Sequence, residues 1–132
     1  MSRLKTTARF LAVCVVAYLV TALGQVLFLE VLLREELHPD SPPPVLAFAT
    51  AGTIISGLVG GTVAAWLGRS RPMLHVLGLI ALLGLDTISV LMDNTGHPLW
   101  FNLGGAFTIQ AAALVGGWIW ILRLGARARV SA

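Results

Sequence analysis

Apolar residues fill four long stretches of the chain, and polar residues gather mainly in the breaks between them. The stretches run over residues 10–33, 45–67, 73–92 and 99–122, so the shortest holds 20 residues. At about 1.5 Å of helical rise per residue such a run reaches about 30 Å, the thickness of a hydrocarbon layer. A backbone surrounded by lipid must satisfy its own hydrogen bonds, so each stretch predicts a helix. Short breaks predict that consecutive helices pack as antiparallel neighbours. The pattern therefore predicts one all-α integral membrane domain over residues 1–132, an antiparallel bundle of four transmembrane helices.

The breaks carry local signals of their own. The longest, residues 34–44, contains Pro39 and the run Pro42-Pro43-Pro44, which predicts a stiff, extended entry into the second span. Residues 68–72 read as a tight turn in which Gly68 ends one helix and Pro72 starts the next. Residues 93–98 are dense in turn formers. Glu30 and Arg34 stand four residues apart and predict an ion pair at the end of the first span, beside Glu35 and Glu36. Trp100 and Phe101 fall where an interfacial aromatic belt belongs, with Trp66, Trp118 and Trp120 toward the other side.

Charge orients the bundle. Arg3, Lys5 and Arg9 precede the first span, Arg69 and Arg71 join the second to the third, and Arg123, Arg127 and Arg129 follow the fourth. The other two breaks hold one cation, Arg34, against Glu35, Glu36, Asp40 and Asp93. The positive-inside rule then predicts cytoplasmic termini and a cytoplasmic turn at 68–72, with residues 34–44 and 93–98 outside. With 57% hydrophobic and 11% charged residues, the composition suits lipid better than water. The formal charge of +3 does not point to nucleic acid, because the cations form three clusters at helix ends. Arg9, Arg69, Arg71 and Arg123 are instead expected to contact anionic lipid headgroups.

The first apolar run continues past the small-residue stretch Ala22-Leu23-Gly24, which predicts an uncleaved helix. One cysteine, Cys14, excludes an internal disulfide and a cysteine-based metal framework. Eight of the nine cations are arginine, and Ala, Gly, Leu and Val abound, as in proteins from GC-rich bacterial genes. The expected compartment is therefore the bacterial inner membrane.

No hydrophobic force draws helices together in lipid, so close contact between small residues does much of that work. Gly57, Gly60, Gly61 and Ala64 on the second span, with Gly116 and Gly117 on the fourth, are the expected packing positions. Leu58-Val59-Gly60-Gly61 recurs 56 residues later as Leu114-Val115-Gly116-Gly117, and the same offset pairs Glu30 with Asp86. That reads as a candidate hairpin duplication. The two carboxylates sit at unequal depth, however: Glu30 is 21 residues beyond Arg9 and Asp86 is 15 beyond Arg71.

Asp86 is the residue with the most chemical promise. It lies about 22 Å along a helix from Arg71, inside the hydrocarbon layer. A bare carboxylate there costs a few kcal/mol unless it is paired or hydrated. It is expected to face the bundle interior in a polar pocket with Gln25, Thr50, Thr53 and Gln110, near Ser56 and Thr87. Two roles stay open, an ionisable group for a proton or cation and a hydrogen-bonded packing residue. Helical spacing also aligns Cys14, Tyr18, Thr21 and Gln25 on one face, and His75, Leu79, Leu82, Asp86 and Ser89 on another. His75, near the cytoplasmic interface, is expected to hydrogen-bond a neighbouring helix end or a headgroup, with proton shuttling as the alternative. His38, Asp40, Asp93 and His97 offer nitrogen and oxygen donors that could build a divalent-metal site across both outer loops, but loop residues of this kind are usually solvated, and neither metal nor cofactor is expected.

Several classes are excluded by what is missing. There is no nucleophile with a base, no glycine-rich phosphate loop and no Cys/His framework, so no enzyme is expected. No histidine pair sits at haem depth, and no arginine lies inside a span as a voltage sensor requires. The segment Gly60-Gly61-x-x-Ala64 through Gly68-Arg69-x-Arg71-Pro72-x-x-His75 resembles a pattern found in uncharacterised small bacterial membrane proteins of four spans. That resemblance covers about 16 residues at the central hairpin; it implies architecture and compartment, and no activity. Small multidrug transporters are not matched, since the first span carries no charge between residues 10 and 29. The expected function is a non-catalytic inner-membrane protein, a small structural or accessory subunit packing against itself or a larger membrane complex. The alternative is an oligomeric proton-coupled or small-solute transporter or channel built around Asp86.

Overall fold

The computed structural model describes residues 2–34, 36–93 and 96–131. Helix α1 spans Ser2–Val26 and continues as a wider π-helical segment over Leu27–Leu33; α2 spans Pro43–Leu67, α3 Pro72–Met92 and α4 Leu99–Val130. All four are long and apolar enough to cross a membrane, as the apolar runs predict.

The helices outrun those runs at both termini of the chain. Helix α1 begins at Ser2 and α4 ends at Val130, because no proline interrupts either end and arginine, alanine and leucine favour a helix enough to carry α4 past Gly125. The Thr6 and Thr7 hydroxyls bond back to the Ser2 and Arg3 carbonyls at 3.0 Å, each within its own first turns. At the far end of α1, Arg34 adopts a left-handed conformation (φ 54°) and closes the π-helical segment. The expected Glu30–Arg34 pair is not formed: Arg34 Nε donates instead to the Val31 carbonyl at 3.3 Å. Glu35, Asn94 and Thr95 lie outside the described residues.

Proline starts three of the helices. Only Pro42 keeps an extended conformation (φ −54°, ψ 145°), while Pro43 and Pro44 form the first turn of α2, so the stiff entry is shorter than expected. The first turn of a helix has no use for those amide hydrogens, which is why proline fits there. Pro72 opens α3 in the same way, and an extended Pro98 precedes α4. Gly68 ends α2 as predicted, its N–H reaching the Ala64 carbonyl at 3.0 Å, yet its φ of −84° suits any residue. Glycine is required there for space, since a Cβ would strike the His75 ring. His75 itself is buried; its Nδ1 bonds the Arg71 carbonyl at 2.8 Å and its ring lies 5.0 Å from that of Phe10.

The core is built from small side chains. Ala17, Ala64, Ala65, Val76, Leu79, Leu83, Ile109 and Ala113 form it, and large apolar groups such as Leu23, Leu85 and Phe107 point outward. That inside-out distribution is what lipid solvent favours, because backbones approach closely where side chains are small. Helices α2 and α4 make the most extensive contact. Gly57 lies against Ala112 and the Ile109 carbonyl, Gly61 against the Ala113 backbone, and Gly116 against the Leu58 backbone. The Thr62 hydroxyl bonds its own Leu58 carbonyl at 2.8 Å and stands 3.2 Å from the Gly116 carbonyl. The two Leu-Val-Gly-Gly copies are thus pressed onto each other. Gly60 faces Thr21 and Ala17 of α1, Gly117 faces Val76 of α3, and Ala64 is fully buried. Trp66 and Trp118 project outward, whereas Trp120 packs against the core.

Candidate functional site

A cavity of about 570 Å³ opens among all four helices toward the loop 34–42 and the start of α4. Helices α2 and α3 each contribute one face at intervals of three and four: Leu46, Ala49, Thr50 and Thr53 from α2, and Leu83, Asp86, Thr87 and Val90 from α3. Helix α1 adds Tyr18, Thr21, Ala22 and Gln25, and α4 adds Trp100, Phe101, Asn102, Thr108 and Ile109. The space exists because α4 presents Gly104, Gly105 and Ala106 there, and α2 presents Ala49. Buried Leu83 and Ile109 close the floor.

Four of the five residues expected in a polar pocket therefore meet: Gln25, Thr50, Thr53 and Asp86. Gln110 does not line it. It lies one residue past the floor at Ile109, and one residue turns a helix by about 100°. Ser56 is also absent from the lining; it is buried against Gly24, its hydroxyl bonded to the Gly52 carbonyl at 2.8 Å. On α3 the inward stripe runs through His75, Val76, Leu79 and Leu83, which leaves Ser89 exposed and Leu82 off the lining. Tyr18 was aligned with Gln25 but not placed in the pocket. It lines the same cavity as Asp86, with which it interacts electrostatically. Trp100 and Phe101, expected as belt residues, stand edge to face at 5.7 Å and 88° in the cavity wall.

The wall has a definite polarity. The hydroxyls of Thr21, Thr50, Thr53, Thr87 and Thr108 each donate to a carbonyl of their own helix, at 2.7 to 3.0 Å. Their protons are occupied, so what they offer a guest is oxygen lone pairs. Asp86 adds a carboxylate, and no lysine or arginine lines the space. The two aromatic rings add electron-rich faces. Gln25, Asn102 and Trp100 bring N–H groups to the same wall, so its hydrogen-bonding character is mixed while its one charged side chain among the described residues is acidic.

The outer histidines do come together, His38 and His97 with ring centroids 5.7 Å apart, and His97 next to Phe101 at 5.5 Å. Among the described residues no cluster of three or more metal-ligating side chains forms there or elsewhere. His38 pairs weakly with Glu36 at 3.6 Å, both well exposed. Of the four arginines expected at lipid headgroups, Arg9 and Arg71 line a second, smaller recess at the opposite end of the bundle, while Arg69 and Arg123 are exposed elsewhere. Comparison of the chain with protein-family models, with curated proteins and with solved structures gave no match.

Proposed function

We propose that this chain is a non-catalytic inner-membrane protein that binds a small cationic solute in its outer cavity and carries it as a homo-oligomer. Asp86 is the ionisable group in this reading. In the same proposal the helices alternate in direction, both termini and the turn at 68–72 are cytoplasmic, and the cavity opens to the outside. The arginine clusters support that threading through the positive-inside rule. The contact pairs 21 with 60, 24 with 56 and 28 with 52 support opposite senses for α1 and α2. Kinship with small four-span bacterial membrane proteins belongs to the proposal too, resting on the central hairpin alone.

One observation carries the reading: among the described residues, a drug-sized, largely apolar cavity is lined by one carboxylate, five threonine hydroxyls and no lysine or arginine. Ligand sites have this form, a few convergent polar groups in an apolar recess. A charge held inside a hydrocarbon layer needs a partner, and a proton or a cationic guest supplies one. Four helices enclose too little room for a continuous path, so a second copy completes it. The test uses one pair of probes of the same shape and opposite charge, tetraphenylphosphonium and tetraphenylborate, in zwitterionic nanodiscs. The cation is retained by the wild-type protein, the anion is not, and Asp86→Asn abolishes retention. Equal uptake of both ions, or unchanged uptake by the Asn variant, refutes the reading.

The structural or accessory role is the second reading. Its first support, the small-residue faces, is weaker now that those faces pack inside the bundle. It keeps one observation of its own: α4 continues through exposed Arg127 and Arg129 to Val130, a basic rod beyond the apolar span. A defined heteromeric assembly recovered in native detergent favours this role; a homo-oligomer favours the carrier.

A further inference from the structure

The smaller recess, of about 380 Å³, lies where the first turns of α1 meet the α2–α3 turn, at the end of the bundle away from Asp86. Its mouth carries Arg9 and Arg71, brought together from positions 62 residues apart (71 − 9 = 62). Both are exposed, and no acidic side chain lines the recess. Ser70 adds a hydroxyl with no hydrogen-bond partner among the described residues. Helix α3 starts here without a side-chain cap, so the positive end of its dipole lies beside the recess; Pro72 has no amide hydrogen, and those of Leu74 and His75 bond the Arg71 carbonyl. The Arg71 backbone is held in place from below. A carbonyl can only accept, so His75 Nδ1 carries the proton that bonds the Arg71 oxygen at 2.8 Å.

Thr6, Thr7 and His75 add polar groups to the lining, while Phe10, Leu67 and Leu74 supply its apolar part, with the Phe10 ring 5.0 Å from that of His75. A guanidinium pair beside a helix N-terminus recognises a phosphate, and guanidinium does so through paired parallel hydrogen bonds. Basic recesses between membrane helices suit phospholipid headgroups in particular. We infer that Arg9, Arg71 and Ser70 form a specific site for a phosphate-bearing group, with Phe10 and Leu74 receiving the apolar part of a phospholipid. The occupant is the headgroup of an anionic lipid or a free phosphate, and the two sources are separable. The site stands independently of the cavity at Asp86.

Native mass spectrometry of protein released from phosphatidylcholine nanodiscs doped with phosphatidylglycerol tests it. Wild-type protein retains phosphatidylglycerol, and R9Q/R71Q loses about ten-fold of that occupancy or more, in the range of lost charge-assisted hydrogen bonds. R127Q/R129Q removes the same charge from the same end of the bundle and retains the lipid. Equal loss in both double variants means diffuse attraction to the basic end and overturns the site. In pure phosphatidylcholine, added inorganic phosphate that raises the melting temperature of wild type but not of R9Q/R71Q identifies free phosphate as an occupant. If R9Q/R71Q does not assemble, Thr7→Cys labelled with a bimane dye reads the recess directly, since Thr7 lines it without belonging to the proposed site and the native Cys14 is buried. Its emission shifts when phosphatidylglycerol or phosphate is added; unchanged emission with both overturns the inference.

Discussion

Tyr18 on α1 and Asp86 on α3 line the same cavity and interact electrostatically, and among the described residues no lysine or arginine lines that space. Tyr18→Phe keeps the ring and removes the hydroxyl. In the proposed carrier, affinity for tetraphenylphosphonium is expected to fall by a few-fold, as for one polar group lost from the site. Asp86→Asn removes the charge itself and is expected to cost about ten-fold or more, as for a hydrogen-bonded ionised group. Equilibrium dialysis in zwitterionic nanodiscs measures both, and a larger effect from Tyr18→Phe than from Asp86→Asn would contradict the assigned roles.

The α2–α4 seam sets a second expectation. Gly61 and Gly116 each touch backbone atoms of the opposite helix, which cannot rotate away as a side chain can. Gly61→Ala and Gly116→Ala should each destabilise the bundle by about 1–3 kcal/mol, the usual cost of overpacking. Gly125→Ala is the control, because nothing lies within 4 Å of a Cβ there. Thermal denaturation in one detergent should rank the control near wild type and both seam variants well below.

Thr62 bridges that seam with one hydroxyl, 3.2 Å from the Gly116 carbonyl. Thr62→Val keeps the shape and removes the bridge. Hydrogen bonds between membrane helices average about 0.6 kcal/mol, so a small loss of stability is expected, below that of either glycine variant. A loss equal to that of Gly61→Ala would mean that the hydroxyl, and not backbone proximity, holds α2 to α4.

Membrane-impermeant maleimide applied to intact cells checks the threading. Ser41→Cys, in the loop between α1 and α2, should be labelled from outside, and Ser70→Cys only after permeabilisation. Cys14 is buried and contributes little background. The reverse result would place the Asp86 cavity on the cytoplasmic side.

Much of this was legible in the sequence, for identifiable reasons. Span lengths follow from apolar runs, and Gly68 and Pro72 mark their turn by chemistry that acts within a few residues. The depth of Asp86 follows from counting along a helix, which also brought Gln25, Thr50 and Thr53 to its level. Direction around the helix axis was harder. Gln110 sits at a suitable depth and faces elsewhere, while Thr108, two residues earlier, lines the cavity. Tyr18 was on the correct face, but its meeting with Asp86 depends on how α1 packs against α3, which no local pattern encodes. The π-helical segment over Leu27–Leu33 left no readable mark either, because widening a turn reflects hydrogen-bond geometry more than residue type.

The seam between the two Leu-Val-Gly-Gly segments also divides the molecule mechanically. Where main chain rests on main chain there is no slack for sliding, so α2 and α4 behave as one stiff beam. Any reshaping of the cavity then falls to α1 and α3, whose contacts with that beam run through threonine, phenylalanine and valine side chains able to change rotamer. Tyr18 and Asp86 ride on those two helices, so in the proposed carrier the grip on a guest and the motion that frees it would be one event.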